Sequence, residues 1–224
     1  MPDLTLVYLT VGLALIFDFG NGFNDAANSI STIVATRVLS LRGAVVLAAV
    51  ANFAAAFIFG VAVATAIGKG IVDPAYINTT IIFSGLVGSI IWVYATTFVG
   101  LPVSESLALI GGLIGSAIAG AGFGSLITGG ITTILIFIFV APLLGMTIAF
   151  LFSSLVLHLV KNKTPEDVNK YFKKLQLISV SVYSLGHGTN DAQKTMGIIT
   201  ITLFTAGLLG ETFYVPFWVI IASH

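Results

Sequence analysis

The sequence predicts an all-α fold, a polytopic transmembrane helical bundle, on the basis of three observations. Of the 224 residues, 57% are hydrophobic and only 8% are charged, whereas about a quarter of the residues in a soluble domain are charged. Apolar runs of about 20 residues, long enough to span a bilayer, recur along the whole chain. A Gly-rich polar motif occurs twice among them with an odd number of apolar segments between the copies, which predicts inverted repeats with broken helices, and residues 78–121 are expected to form a re-entrant hairpin.

Composition also excludes several classes of function. Nine basic and nine acidic residues leave no basic patch, so nucleic acid is not an expected partner. The absence of cysteine excludes disulfides, iron–sulfur clusters and thiol catalysis. No His-Glu-x-x-His or Gly-x-Ser-x-Gly motif is present. We therefore predict that the chain is not an enzyme and has no cofactor beyond a transported ion.

The apolar runs set the expected order of the elements. They lie near residues 4–22, 43–67, 78–99, 106–121, 131–159, 177–187, 195–209 and 212–222. Only the segment KNKTPEDVNKYFKK, residues 161–174, is clearly aqueous, and its apolar residues recur at helical spacing. We therefore expect a first repeat at 1–160, a cytoplasmic linker at 161–176 and the start of a second repeat at 177–224.

The basic residues predict the orientation of the chain in a lipid bilayer. Arg37 and Arg42 follow the first apolar run, and the lysine cluster of 161–174 follows the fifth. An even number of apolar segments separates these two sites, so both fall on one side of the membrane. Because short cytoplasmic loops are rich in Lys and Arg, we expect a multi-pass cell-membrane protein with an outside N-terminus and a cytoplasmic 161–174 loop.

A few ionisable residues lie inside the apolar stretches, namely Asp18, Asp25, Glu105, Asp191 and Lys194. An ionised side chain at the centre of a bilayer costs about 2.5–3.5 kcal/mol, which makes such residues candidates for function. Four acids and one lysine leave a deficit of three positive charges. Protons or bound metal ions must supply the three missing positive charges. Among metal ions, Na⁺ is favoured because carboxylate, amide and hydroxyl oxygens are suitable ligands for it.

Helix capping and helix packing could also account for some polar residues of these stretches. Asp25 and Asp191 could cap helices that begin after the glycines, although a serine would cap as well without burying a charge. Asp18 is interpreted as a helix–helix hydrogen bond or a partner for Lys194 in preference to a place in a site. His187 is interpreted as a hydrogen-bonding core residue rather than a ligand.

The polar motif is an internal duplication. FDFGNGFNDAANSI, residues 17–30, aligns without gaps with YSLGHGTNDAQKTM, residues 183–196, at an offset of 166 residues. Five positions are identical, including both members of an Asn-Asp pair (Asn24 and Asp25, Asn190 and Asp191). The glycines allow the helix to unwind or another backbone to come close. In the first case the half-helices that follow would point their N-termini at an anion.

A second group of polar residues occurs in LPVSESLAL, residues 101–109. Pro102 is expected to end one hairpin arm, and Ser104 to cap the next helix, with Glu105 and Ser106 in its first turn. Hydroxyl groups, backbone N–H groups and a helix N-terminus together favour a tetrahedral oxyanion. Bound cations would neutralise the nearby acids, which couples cation binding to anion binding.

The motifs GFNDAANS, PVSES and GTNDAQKTMG resemble the signatures of the inorganic phosphate transporter (PiT) family of Na⁺- or H⁺-coupled phosphate symporters. This resemblance implies two inverted halves, phosphate held by hairpin tips and broken helices, and often a homodimer. It implies a phosphate site from Asn24, Asn28, Ser104, Ser106, Asn190, Gln193 and Lys194. The coupling site for Na⁺ or H⁺ would use Asn24, Asp25, Glu105, Asn190 and Asp191.

Family members are typically longer and carry a second Pro-Val-Ser motif after the second Asn-Asp motif. This chain ends at WVIIASH before any such motif, so the C-terminal part of the family pattern is expected to be missing. The function predicted is cation-coupled symport of inorganic phosphate. The alternatives are a transporter or channel for another oxyanion such as sulfate, or a membrane subunit that does not transport.

Overall fold

The computed structural model describes residues 3–58 and 60–224, without the side chains of residues 23, 24, 26, 63, 66, 68 and 69. Within these ranges the chain is helical, which confirms the predicted helical bundle. The helices, in chain order, are α1 (Leu4–Ala35), α2 (Leu41–Ile58), α3 (Ala62–Gly70), α4 (Thr79–Phe98), α5 (Glu105–Ala121), α6 (Thr128–Val160), α7 (Pro165–Thr205) and α8 (Phe217–Ser223).

Both copies of the duplicated motif lie inside continuous helices, so the predicted breaks at the motifs are wrong. Helix α1 is 32 residues long and passes through the first motif, and α7 is 41 residues long and passes through the second. At 1.5 Å per residue, α1 is about 48 Å long, which exceeds the thickness of a bilayer core. No half-helix therefore begins at Asn24 or Asn190, and neither Asp25 nor Asp191 is a helix cap.

Helix packing explains one of the glycines at which a break was expected. A Cβ on Gly188 would lie 2.8 Å from the Cα and from the carbonyl oxygen of Asn52 on α2. Glycine therefore allows α2 to approach α7 directly at the motif. A Cβ on Gly197, one residue after the second motif, would lie 2.7 Å from the carbonyl oxygen of Ala64 on α3. These glycines serve close approach rather than unwinding.

Helices α1 and α7 run antiparallel, as three contacts along their length show. Asp18 accepts a hydrogen bond from Thr195, Asp25 Oδ2 lies 4.0 Å from His187 Nε2, and Thr36 Oγ1 donates to Gln176 Oε1 at 3.0 Å. Residue numbers rise along one helix as they fall along the other, so the two copies of the motif face each other in opposite directions.

The apolar run predicted at 43–67 is divided in the structure between α2 and α3. The side chain of Gln193 bridges the junction, since its Nε2 donates to the carbonyl oxygen of Gly60 at 2.7 Å and its Oε1 accepts from the N–H of Ala64 at 3.3 Å. Helix α7 thereby holds the start of α3 against the centre of the bundle.

Helices α4 and α5 form an antiparallel hairpin whose connection contains the Pro-Val-Ser sequence. Ser89 Oγ donates to the carbonyl oxygen of Ala108 at 3.0 Å, and a Cβ on Gly85 would lie 3.1 Å from the carbonyl oxygen of Gly112. The predicted hairpin is therefore present, and its re-entry into a membrane stays a prediction.

Four helices of the described chain are long and apolar enough to cross a membrane, namely α1, α2, α4 and α6. Helix α6 has no buried residue among its 33, and its Leu, Ile and Phe side chains form an apolar surface suited to lipid or protein. The hydrogen bond from Thr36 to Gln176 places the α1–α2 loop, with Arg37, at the end of the bundle where α7 begins.

Candidate transport site

A cavity of about 640 Å³ lies where α1, α2 and α7 meet. Both copies of the duplicated motif contribute to its wall, through Asp18, Asn21 and Gly22 from α1 and His187, Gly188 and Asp191 from α7. The antiparallel register is what brings the two motifs to one place, although 166 residues separate them in sequence.

Asp191 is paired with basic side chains on its own helix. Lys194 Nζ lies 2.6 Å from its Oδ1, and His187 Nε2 lies 3.0 Å from its Oδ2. The spacings of three and four residues put all three side chains on one face of α7. Lys194 is buried, with 8% of its surface exposed, so its ammonium group is held against Asp191 rather than in solvent.

Asp25 lies on α1, across the α1–α7 interface from Asp191. Its hydrogen-bond donor is a neutral amide, where Asp191 has the ammonium group of Lys194. Asn28 Nδ2 donates to Asp25 Oδ1 at 3.0 Å, and His187 Nε2 lies 4.0 Å from Asp25 Oδ2. One ligand atom each from Asp25, His187 and Asp191 lies within 4.8 Å of the other two. His187, interpreted from sequence as a core residue, is therefore the group that lies between the two acids of the duplicated motif.

Asp18 belongs to the same interface. Its carboxylate accepts a hydrogen bond from Thr195, and Asp191 and Lys194 are close enough to act on it electrostatically. Asn21, one turn further along α1, is 3% exposed, and its Oδ1 has no hydrogen-bond partner among the described residues. Asn21 was not among the residues predicted from sequence, although it aligns with His187 in the internal repeat.

Some of the residues expected at the site lie elsewhere. The side chain of Asn24 is outside the described residues. Asn190 is exposed on α7 and does not line the cavity, and Gln193 is occupied at the junction of α2 and α3. Of the residues predicted from the two motifs, Asp25 contacts Asn28 and Asp191 contacts Lys194. His187 lies close to both acids and so links the two pairs.

The hairpin residues line a separate cavity. Ser104 caps α5 by accepting from the N–H of Leu107 at 3.3 Å, and Glu105 is 8% exposed. Ser104 lines a cavity of about 670 Å³ along α4 and α5, which shares no described lining residue with the first cavity. The two regions approach at Gly20, where an added Cβ would lie 3.4 Å from the hydroxyl of Tyr94 on α4.

The α1–α7 interface combines several kinds of polar side chain. It offers carboxylate, amide and hydroxyl oxygens, which are ligands for hard cations. Acidic side chains outnumber the single lysine, so added cations are electrostatically favoured. No helix begins at the motifs, whereas the N-terminus of α5 lies at the predicted anion-binding residues Ser104 and Ser106.

Comparisons with known proteins give a consistent result. A sequence model of the phosphate transporter family matches residues 21–224. A protein of Rhizobium meliloti (strain 1021), named probable low-affinity inorganic phosphate transporter, is 49% identical over 99% of this chain and 68% of its own length. A Bacillus subtilis (strain 168) protein of the same name is 41% identical over 96% of this chain and 65% of its own.

The fold is also found in a solved structure, described as the sodium-dependent phosphate transporter. It matches with a TM-score of 0.79 over 98% of this chain and 73% of that one, at 22% identity, which shows a shared fold. The chain spans about two thirds of the length of the Rhizobium meliloti and Bacillus subtilis relatives and 53% of that of a Mycobacterium bovis protein of the same name.

The relatives are transporters, which confirms the prediction that the chain is not an enzyme. The predicted family is confirmed as well, by the matched range and by the identity over nearly the whole chain. The chain belongs to the phosphate transporter family.

Proposed function

We propose that the chain forms part of a secondary transporter that carries inorganic phosphate across the cell membrane together with Na⁺ or H⁺. The observation that carries this proposal is the meeting of Asp25 and Asp191, one from each copy of the duplicated motif, on either side of His187. The names of the relatives support phosphate as the substrate, and that of the solved structure supports Na⁺.

The coupling cations bind at the acids of the α1–α7 interface. Asp25 and Asp191 are the principal ligands, with Asn24, Asn190 and Glu105 as the further ligands expected from sequence. Bound cations cancel the negative charge that would otherwise repel phosphate. Because each ligand raises the affinity for the other, binding is reciprocal, and this is the thermodynamic origin of coupling.

Phosphate binds at the start of α5, where the positive end of the helix dipole and the hydroxyls of Ser104 and Ser106 favour an anion. Asn28, Lys194 and Gln193, also expected to bind phosphate, already have partners inside the protein. They contribute to phosphate binding only if those contacts rearrange during transport. Asn24 and Asn190 complete the set proposed from sequence.

The protein is oriented with its N-terminus outside and its 161–174 segment in the cytoplasm. The contact of Thr36 with Gln176 supports this arrangement, because it groups Arg37 with the lysine-rich start of α7 at one end of the bundle. That end carries the excess of basic residues expected on the cytoplasmic side. A homodimer, implied by the family resemblance, stays a prediction.

Uptake of labelled phosphate into proteoliposomes tests the proposal. An inward Na⁺ gradient or an inward proton gradient is applied separately, with choline as the control cation. Uptake driven by either gradient supports symport, and uptake that is independent of both gradients contradicts coupling.

Competition by excess sulfate tests the selectivity for phosphate. Monohydrogen phosphate can donate a hydrogen bond to a carboxylate and sulfate cannot, so sulfate is expected to compete poorly. Strong competition would favour a less selective oxyanion transporter.

A further inference from the structure

We infer that Asp18, Asn21 and Thr195, together with Asp191, form a Na⁺ site that is present in only one of the two related halves of the α1–α7 interface. The inference rests on the proposed cation coupling and adds ligands to it that the duplicated Asn-Asp pairs do not supply.

The four side chains converge from two helices. Asp18 and Asn21 are three residues apart on α1, which places them on one face, one turn apart. Thr195 donates a hydrogen bond to Asp18 from α7. Asp191 lies one turn before Thr195, and the antiparallel register places it level with Asn21. Asp18, Asn21 and Asp191 all line the same cavity.

Asn21 provides an independent reason to place a ligand here. Its side chain is 3% exposed, and its Oδ1 has no hydrogen-bond partner in the described part of the chain. A buried amide oxygen without a partner is unfavourable, and a cation bound at the cavity wall would satisfy it. Carboxylate, amide and hydroxyl oxygens together form the donor set of a hard cation.

The charges at this place favour a monovalent ion. Lys194 is engaged with Oδ1 of Asp191, while Asp18 makes no ion pair among the described residues. Lys194 balances Asp191, so the carboxylate of Asp18 adds one negative charge that no described ion pair balances. A single Na⁺ bound at Asp18 balances that charge.

The internal repeat shows that the site is not duplicated. At the 166-residue offset, Asp18 corresponds to Ser184, Asn21 to His187, and Thr195 to Ser29. Ser29 and Ser184 are both buried, so the other half has a hydroxyl group where this half has the carboxylate of Asp18. Asp18→Ser therefore gives this position the residue that the other half has at the equivalent position.

Direct binding of ²²Na⁺ to the purified protein in the absence of phosphate tests the inference. In Asp18→Ser and in Thr195→Val, the affinity for Na⁺ is expected to fall at least about tenfold, with one fewer ion bound at saturation. Asn21→Leu keeps the branched shape of the side chain and removes the oxygen, and should have the same effect. Glu166→Gln, at the exposed start of α7, is the matched control and should bind Na⁺ normally.

Unchanged Na⁺ binding in folded Asp18→Ser and Thr195→Val protein, with folding judged by size-exclusion chromatography, would overturn the inference. So would uptake that depends on Asp18 but responds only to a proton gradient. Phosphate uptake measured on the same wild-type preparation separates this inference from the proposed function. If Asp18→Ser loses Na⁺ binding but the wild-type protein takes up no phosphate, the inferred Na⁺ site stands. The proposed transport of phosphate is then wrong.

Discussion

The Nζ atom of Lys194 lies 2.6 Å from Oδ1 of Asp191, and the two residues are one helical turn apart on α7. At the equivalent positions of the first motif, Asn28 Nδ2 lies 3.0 Å from Oδ1 of Asp25. The two halves therefore hold their acids with the same spacing and the same kind of donor, but one donor is charged and the other is neutral. The duplicated site is symmetric in geometry and asymmetric in charge.

Asp25→Asn and Asp191→Asn should each abolish cation-driven phosphate uptake. An amide keeps the size of the side chain but removes the negative charge that attracts the coupling cation. Initial rates of labelled phosphate uptake in proteoliposomes provide the measurement, with Glu166→Gln as the control. Normal rates in both aspartate variants would mean that the interface is structural and that the site assignment is wrong.

Lys194→Asn should destabilise the protein by about 3 kcal/mol, because removing one partner leaves the other charge buried and uncompensated. The double variant Lys194→Asn with Asp191→Asn removes both charges and should lose less stability than the sum of the two single variants. Denaturant unfolding in mixed micelles gives the three free energies of unfolding. Additive losses would show that the pair is not energetically coupled.

The helical bundle and the bounds of three helices could be predicted because they depend on local hydropathy. The runs at 78–99, 106–121 and 131–159 correspond to α4, α5 and α6, with ends that differ by no more than three residues. The importance of Asp25 and Asp191 followed from duplication and from the cost of a charge in an apolar stretch. Both signals are contained in the sequence itself.

The path of the backbone at the motifs could not be predicted, because glycine permits a break without requiring one. Whether the helix unwinds at Gly188 depends on α2, whose Asn52 packs directly against it. The expected break also hid Asn21, since its helical spacing from Asp18 and Asp25 exists only if α1 is continuous. The division of α2 from α3 depends in turn on Gln193, which is more than a hundred residues away.

Gly188→Ala should destabilise the protein, whereas Gly186→Ala should not. A Cβ on Gly188 meets the backbone of Asn52 at 2.8 Å, and moving a packed helix to make room costs about 1–3 kcal/mol. Gly186 has no neighbour within 4 Å of an added Cβ, and alanine is favoured over glycine in a helix by about 0.5–1 kcal/mol. Thermal unfolding of the purified variants gives the order of stability. Equal destabilisation by both would contradict the close approach of Asn52 as the reason for the effect at Gly188.

Ser104 caps α5 and is proposed to bind phosphate, and substitution can separate the two effects. Ser104→Ala removes both the cap and the hydroxyl, and loss of the cap alone costs about 1 kcal/mol. Asparagine caps a helix as well as serine does, so Ser104→Asn should keep the stability while lacking the hydroxyl. If the hydroxyl binds phosphate, both variants should raise the KM for phosphate. A raised KM in Ser104→Ala alone would assign the effect to the cap.

Gln193→Leu should reduce stability without changing the affinity for phosphate. The substitution leaves the carbonyl oxygen of Gly60 and the N–H of Ala64 without the side-chain partner that joins them, and an unsatisfied buried group costs about 1–3 kcal/mol. Hydrogen exchange at the start of α3 should therefore accelerate, while the KM for phosphate in proteoliposomes stays at the wild-type value. Gln193→Glu is the matched variant, because a carboxylate keeps the shape but cannot donate to Gly60. The opposite result, a raised KM with unchanged exchange, would return Gln193 to the phosphate site predicted from sequence.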